Sequence, residues 1–235
     1  MDRTPSDTPQ PSKPMRKGRS RPIAPQHANG APQARAPDGG VRSICVYCGS
    51  GLGENPAYAA AARTLGRELA ENGIRLVYGG GGLGLMGEVA RATLEAGGKV
   101  TGIIPEFLIA REHMLREVTD LLVTADMHQR KKLMFERSDA FVALPGGIGT
   151  LEELVEQLTW AQLGQHSKPI VLANIAHFWT PFLGLIEHMR NEAFIRRGLE
   201  VPLNVVSNAR HIVPRVAELY AELGGKVAPG ALAKF

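Results

Sequence analysis

The chain has 235 residues, 44% of them hydrophobic, and this length suits one α/β domain better than two small ones. Its net charge of +4 suggests a nucleic-acid partner, but the positions of the charges argue against one. The 27 Lys+Arg and 23 Asp+Glu include 7 and 3 in residues 1–40, which leaves 20 of each in residues 41–235. A charge-balanced folded part argues against nucleic-acid binding, which needs a basic face on the domain itself.

Residues 1–40 hold eight of the 16 prolines and almost no large apolar residues. Such a segment cannot offset its ordering entropy by burial, so we expect a disordered, basic, proline-rich tail followed by one domain over residues 41–235. A tail that contacts an acidic partner or a membrane surface is the alternative. No stretch approaches the roughly 18 apolar residues of a membrane span, and no apolar signal core is present. We therefore expect a cytoplasmic protein without a membrane partner.

From Val41 onward, short apolar runs alternate with amphipathic segments. Asn55-Pro56 supplies an N-cap and a first-turn proline for the first helix. The repeated strand-then-helix order predicts a Rossmann-like α/β fold, with a doubly wound parallel sheet and helices on both faces. The expected strands are residues 44–47, 74–78, 100–104, 121–124, 140–144, 170–173 and 205–206. The expected helices are residues 56–72, 87–96, 128–137, a helix from residue 150, and residues 178–190 and 212–223.

Cys45 and Cys48 form a C-x-x-C pattern in and after the first expected strand. Thioredoxin-like redox chemistry and half a zinc site are both typical of this spacing. Redox motifs usually begin a helix, however, and no nearby Cys or His pair completes a zinc site. Reduced, partly buried thiols are the favoured interpretation.

Residues 139–157 are the part of the chain that most directly suggests a ligand. An apolar run ends in Pro145-Gly146-Gly147-Ile148-Gly149, and a helical pattern follows. Glycines let backbone N–H groups approach a ligand, and a helix start leaves unpaired donors at the positive end of its dipole. This turn therefore predicts a phosphate site.

A second glycine-rich turn, residues 79–87, contains G-x-G-x-x-G at residues 82–87, and Glu106 follows at the distance of a ribose-binding acid. Six glycines in nine residues satisfy the pattern in several registers, and the turn follows the second strand rather than the first. A mononucleotide or sugar phosphate is favoured over a dinucleotide. Glycines required only for close packing of helix on sheet remain an alternative.

Glu153 has two interpretations. Residues 150–153 fit a capping box with Thr150 as N-cap and Glu153 reaching back. Alternatively, its carboxylate lies one turn from the phosphate site and meets a sugar. Residues 127–132 form a basic run that is either a solvated face or faces the same ligand. Arg130 is its favoured functional member, because a planar bidentate donor suits phosphate or purine, whereas His128 is favoured as structural.

Residues 145–153, P-G-G-I-G-T-L-E-E, resemble the P-G-G-x-G-T-x-x-E signature of the Lonely Guy family, the cytokinin riboside 5′-monophosphate phosphoribohydrolases. Supporting similarities occur at residues 48–50, 78–81, 84–87, 102–105 and 127–131, and together they cover about residues 44–223. Two positions depart from the family: Ile148 stands where many plant members have Tyr, and Gly51 where a second Ser often follows.

This resemblance implies functional residues by motif. The catalytic arginine and glutamate fall on Arg130 and Glu153. The implied substrate-binding residues are Gly49, Ser50, Gly81, Met86, Glu112, Arg130, Lys131, Gly146, Gly147, Ile148, Gly149, Thr150, Leu151, Glu152, Glu153 and Thr159. Members have often been labelled lysine decarboxylases, but a pyridoxal enzyme needs a Schiff-base lysine and a partner for the ring nitrogen, and neither is identifiable.

By resemblance, we expect hydrolysis of the N-glycosidic bond of N6-modified AMP such as isopentenyl-AMP, which releases the free base and ribose 5-phosphate. No metal or organic cofactor is expected. The expected partners are a nucleotide monophosphate and further copies of the chain, as a homodimer or a hexamer. A non-catalytic carrier of AMP-like nucleotides and a dinucleotide oxidoreductase are the rival functions.

Overall fold

The computed structural model of the chain describes residues 26–27, 40–111, 113–196, 198–200 and 203–224. The strands are β1 (Gln26–His27), β2 (Ser43–Tyr47), β3 (Arg75–Tyr78), β4 (Val100–Pro105), β5 (Asp120–Thr124), β6 (Ala140–Ala143), β7 (Ile170–Ala173) and β8 (Asn204–Val206). The helices are α1 (Pro56–Glu71), α2 (Gly84–Glu95), α3 (Met127–Glu136), α4 (Ile148–Gln162), α5 (Thr180–Asn191) and α6 (Ile212–Glu222).

The strands form one sheet in the order β1-β5-β4-β3-β2-β6-β7-β8, and every described pairing is parallel. The chain runs from β2 outward to β5, and then returns to pair β6 with the other side of β2. The topology therefore switches between β2 and β6. In open α/β sheets, ligands bind at such a point, beyond the carboxyl ends of the strands.

Each strand contributes alternate side chains to opposite faces of the sheet. In β2, Ile44 and Val46 lie in the hydrophobic cluster that includes residues of α1, α2 and α6. Cys45 and Tyr47 lie in the cluster that includes residues of α3 and α4. Strands buried on both faces, with helices covering each face, confirm the predicted Rossmann-like α/β architecture.

Two helices begin two or three residues earlier than the sequence predicted, and α3 begins one residue earlier, at Met127. The expectation for α2 was residue 87, but it begins at Gly84, because the carbonyl oxygens of Gly49 and Gly51 accept hydrogen bonds from its first amides. The expectation for α4 was residue 150 with Thr150 as N-cap, but α4 begins at Ile148 and its N-cap is Gly147. The N-cap of α1 is Asn55, as predicted, since its side chain accepts from the Ala57 amide at 2.9 Å.

Of the expected tail, the structure describes only β1, which pairs with Leu122 and Val123 of β5. The other residues of 1–39 lie outside the described residues, so the disordered tail stays a prediction. Within the described part of the chain, no helix is both long and apolar enough to cross a membrane.

Candidate active site

A cavity of about 240 Å³ lies at the topological switch, at the carboxyl ends of β2 and β6. It brings together three segments that are distant in sequence: the loop after β2, the beginning of α3 and the beginning of α4. The lining residues are Val46, Tyr47, Cys48, Gly49, Ser50, Gly79, Met86, Met127, Arg130, Met134, Gly147, Ile148, Gly149, Thr150, Glu152 and Glu153.

Arg130 lies on α3 with only 6% of its surface exposed. Its Nε donates to the carbonyl oxygen of Ile103 at 3.2 Å, and its Nη2 donates to the carbonyl oxygen of Gly79 at 3.4 Å. Its Nη1 lies 3.7 Å from the Met127 sulfur. Backbone carbonyls at the ends of β3 and β4 therefore fix the guanidinium, and a buried cation with these partners is a pre-organised group rather than part of a solvated face.

Gly79 is required by this placement of Arg130. A Cβ on residue 79 would collide with Arg130 Nη2 and would also lie close to the Met86 sulfur. The sequence predicted a glycine-rich turn at Gly79 but did not mark this residue as part of the site. In the structure, the guanidinium occupies the space that a side chain on residue 79 would fill.

Glu153 lies on the inner face of α4 and is 8% exposed. Its Oε1 is 3.8 Å from Arg130 Nη1, which makes a buried ion pair. The capping-box interpretation is wrong, because α4 begins at Ile148 and Thr150 therefore occupies the third helical position instead of the N-cap. Glu153 thus lies a full turn inside the helix, where its carboxylate faces Arg130 and the cavity.

The glycines of the turn before α4 have different roles. A Cβ on Gly146 would collide with the Thr150 side chain and lie 2.8 Å from the Gly49 amide nitrogen, so this glycine is required for packing. A Cβ on Gly147 or Gly149 would meet no protein atom within 4 Å. The first hydrogen bond within α4 runs from the Leu151 amide to the carbonyl oxygen of Gly147. The amides of residues 148–150 come before it, in the part of a helix where amides have no partner within the helix.

The G-x-G-x-x-G turn packs against the loop after β2. A Cβ on Gly84 would collide with the backbone of Ser50, and one on Gly87 would collide with the carbonyl oxygen of Gly82. The Leu85 amide donates to the Gly49 carbonyl oxygen at 3.0 Å. Close packing, the alternative considered from sequence, explains these glycines, and the amide end of α2 is occupied by the protein's own carbonyl groups.

Lys131 lies beside the cavity in an ion-pair cluster that joins α3 to α4. Its Nζ is 2.7 Å from Glu152 Oε1 and 2.9 Å from Glu156 Oε1. Partial burial opposes its charge, but the hydrogen bonds with Glu152 and then Glu156 raise the pKa of Lys131 overall. It therefore remains a cation at neutral pH.

The cavity contains ten of the sixteen residues implied by the resemblance: Gly49, Ser50, Met86, Arg130, Gly147, Ile148, Gly149, Thr150, Glu152 and Glu153. Five others do not line it. Lys131 and Gly146 adjoin it, Gly81 pairs with Met114, Leu151 packs on the α3 and α4 side of the sheet, and Thr159 lines a groove of about 180 Å³ between α4 and α5. Glu112 lies outside the described residues.

Six lining residues were not among the predicted site residues: Val46, Tyr47, Cys48, Gly79, Met127 and Met134. Met127 carried a usable signal, because it lies three residues before Arg130 and so shares its helix face. Tyr47 did not, since only the strand register decides which face it occupies. Burial, together with the neighbouring charge of Glu153, raises the pKa of Tyr47 well above its usual range, so its phenol is protonated.

Cys45 and Cys48 are both buried thiols. Burial, followed by the charge of Glu153, raises the pKa of the Cys45 thiol well above its usual range. A redox-active thiol needs the opposite shift. Among the described residues, no group of three or more His, Cys, Asp or Glu side chains is arranged to hold a metal ion.

Much of this sequence is similar to that of known proteins. A family described as possible lysine decarboxylase matches residues 86–216. The cytokinin riboside 5′-monophosphate phosphoribohydrolase LOG of Oryza sativa subsp. japonica is 46% identical over 181 residues, which are 77% of this chain and 75% of the relative. The chain belongs to the Lonely Guy family. A phosphoribohydrolase of the same name from Arabidopsis thaliana is 46% identical over 187 residues, 80% of this chain and 86% of that relative.

Solved structures similar to this member of the Lonely Guy family confirm its fold. The molybdenum cofactor carrier protein of Chlamydomonas reinhardtii superposes with a TM-score of 0.57 at 24% identity, over 77% of this chain and 98% of that one. The molybdenum cofactor binding protein of Rippkaea orientalis superposes with a TM-score of 0.55 at 22% identity, over 76% of this chain and 96% of that one. At these identities the similarity concerns the fold alone.

The decarboxylase description does not fit the cavity of this Lonely Guy protein. In the described part of the chain, no lysine is among the lining residues, so none is placed to form a Schiff base there. Lys131 is paired with two carboxylates. Burial lowers the pKa of Lys168 to about 8, but this residue lies at the amino end of β7, whereas the cavity lies at the carboxyl ends of the strands, and it donates to the carbonyl oxygen of Phe135 at 2.6 Å.

Proposed function

We propose that the protein hydrolyses the N-glycosidic bond of N6-modified adenosine 5′-monophosphates such as isopentenyl-AMP. The products are the free cytokinin base, or adenine, and ribose 5-phosphate. The buried pair of Arg130 and Glu153, 3.8 Å apart in a cavity that opens on the amide end of α4, is the observation that carries this proposal. The names of the relatives support the substrate class.

The 5′-phosphate binds at the amide end of α4. The amides of residues 148–150 provide donors at the positive end of the helix dipole. Gly147 and Gly149 let the phosphate approach these amides. A side chain on either residue would meet no protein atom, so it would extend into the space of the ligand. Thr150, which is buried and lines the cavity, adds a hydroxyl.

Glu153 acts on the sugar. Departure of the purine leaves an oxocarbenium-like ribose, whose positive charge a neighbouring carboxylate stabilises, either directly or by activating the attacking water. Glu153 lies one turn along α4 from the phosphate site and lines the same cavity, so a ribose held by its 5′-phosphate can reach it. Burial strengthens its interaction with the developing charge, because little water screens it.

Arg130 orients the nucleotide and favours withdrawal of electrons into the leaving base. Its guanidinium is held by two carbonyl oxygens, so little reorganisation is needed when the base departs. A lysine could not reproduce the planar arrangement of donors.

The test is incubation of the purified protein with isopentenyl-AMP, followed by chromatography for the free base and ribose 5-phosphate. A Glu153→Gln preparation purified in parallel is the matched control. Base release by the wild type alone supports the proposal, whereas equal release by both preparations points to another residue or to a contaminant. The rival carrier function predicts that AMP-like ligands bind without any base release.

We further propose that α4 and α5 join two copies of the chain. No described residue of α5 is buried, although the helix carries Leu185 and Met189, and Val155 and Leu163 of α4 are also exposed. An exposed apolar face of this kind marks an interface, and a two-fold axis covers it with itself. Leu185→Glu should reduce the molar mass measured by light scattering, and an unchanged mass would place the contact elsewhere. A hexamer needs a second interface.

Cytoplasmic localisation stays a proposal. Its support is that Cys45 is a reduced thiol, the state that a reducing compartment maintains. Fractionation of cells that express the tagged chain would test it.

A further inference from the structure

Three methionines, Met86, Met127 and Met134, line the cavity that contains the guanidinium of Arg130. Met86 and Met134 are 6% and 1% exposed, whereas Met127, the first residue of α3, is partly exposed. Met127 is therefore the member of this trio that a small oxidant reaches first.

Met127 contacts the nitrogen of Arg130 that faces Glu153. Its sulfur lies 3.7 Å from Arg130 Nη1, and the same Nη1 lies 3.8 Å from Glu153 Oε1. A thioether is a weak acceptor, and the distance to the carboxylate exceeds that of a normal hydrogen bond. The thioether contact is weak and the carboxylate lies beyond hydrogen-bond distance of Nη1, so a stronger acceptor on the methionine side would change the position of Nη1.

We propose that Met127 is an oxidation site through which a peroxide inactivates the Arg130 and Glu153 pair. This inference rests on the proposed function, in which that pair acts on the nucleotide. The sulfur lone pair takes one oxygen of hydrogen peroxide as the O–O bond breaks, and the other oxygen leaves as water with both protons. The sulfur is oxidised by two electrons to the sulfoxide and the peroxide is reduced.

The sulfoxide oxygen is polar and a strong acceptor for a guanidinium N–H. It holds Nη1 on the side of α3 and moves Arg130 away from the leaving base. The phosphate site is formed by α4, so nucleotide binding persists. We expect the turnover number to fall about tenfold or more, the scale of a small misplacement of a reacting group, with little change in KM.

The experiment treats the full-length protein with hydrogen peroxide and follows turnover of isopentenyl-AMP alongside peptide mass. Turnover should fall in step with the gain of one oxygen on the Met127 peptide, before Met86 or Met134 is oxidised. Methionine sulfoxide reductase should reverse both changes. Recovery with a thiol reductant alone would instead assign the effect to Cys48, which also lines the cavity, and would overturn the proposal.

Met127→Leu and Met189→Leu form a matched pair. Met189 is exposed on α5, away from this cavity. Each variant is compared with its own untreated rate, so a changed starting activity does not matter. Met127→Leu should resist the dose that inactivates the wild type, and Met189→Leu should be as sensitive as the wild type. Equal sensitivity of both variants, or oxidation of Met127 without loss of rate, overturns the proposal. An untreated protein without turnover would refute the proposed function instead, and the order of methionine oxidation would still be measurable.

Discussion

The guanidinium of Arg130 occupies the space that a side chain on residue 79 would need, and it also donates to the carbonyl oxygen of Gly79 at 3.4 Å. The end of β3 and the beginning of α3 are therefore mutually dependent. The glycine supplies both the gap and the acceptor that fix the arginine.

Gly79→Ala should lower the turnover number about a hundredfold, because the new methyl group displaces the guanidinium. The melting temperature should change by only a few degrees, since the clash is with the end of a flexible side chain. Gly184→Ala is the control, because a Cβ there meets no atom within 4 Å. Unimpaired Gly79→Ala activity would show that Arg130 tolerates displacement and does not act on the substrate.

Glu153→Gln separates charge from shape. If the carboxylate stabilises the oxocarbenium-like ribose, the turnover number should fall by about two orders of magnitude, the scale of one pre-organised electrostatic group. The melting temperature should move little, because the amide keeps the size of the side chain. Glu218→Gln, which removes an exposed ion pair with Arg215, should leave turnover unchanged. A fully active Glu153→Gln would direct the search for the carboxylate to Glu112.

Gly146→Ala and Gly147→Ala should affect different properties. A methyl group on residue 146 would collide with Thr150, so we expect a loss of about 2 kcal/mol of unfolding free energy. A methyl group on residue 147 meets no protein atom, so stability should persist while kcat/KM for nucleotides falls. Urea denaturation and steady-state kinetics on both variants measure these two effects.

If isopentenyladenosine is cleaved as efficiently as its 5′-monophosphate, the glycine turn does not bind phosphate.

Deletion of residues 1–38 should leave fold and turnover intact. The removed residues include β1, which pairs with only two residues of β5 at the sheet edge, far from the cavity at β2 and β6. Circular dichroism and turnover of the truncated chain test this. A large loss of soluble, active protein would mean that the tail packs on the domain.

His166 should make the fold sensitive to acid. Burial lowers its pKa to about 4 from the ordinary 6.5, and its Nε2 lies 3.2 Å from the Gln157 carbonyl oxygen. Between pH 6.5 and about pH 4, His166 binds a proton in the unfolded chain but not in the folded chain. Stability should therefore be lost as pH falls from about 6.5 to 4, on the order of 2 kcal/mol.

Urea denaturation at pH 7 and pH 4.5 measures this loss. His166→Gln should show a smaller decrease between the two pH values than the wild type. His188→Gln, a change of an exposed histidine on α5, should keep the wild-type decrease. Equal decreases in the wild type and His166→Gln would assign the acid sensitivity to other groups.

The order of the elements was predictable from the sequence, and the glycine turn that it singled out lies at the cavity. Alternation of apolar runs with amphipathic segments predicts helices on both faces of a parallel sheet, and the structure confirms this fold. Arg130 was singled out by its residue type and by the resemblance, because only a guanidinium provides planar paired donors.

Tertiary structure decided the role of Glu153 and the need for Gly79. Local spacing allowed a capping box at residues 150–153, but a cap depends on where the helix begins, and α4 begins at Ile148 with Gly147 as its N-cap. The collision that excludes a side chain at residue 79 involves Arg130, 51 residues further along the chain. Sequence periodicity reports only which face a residue occupies. Which distant residue fills the space beside it depends on how the strands pair and the helices pack.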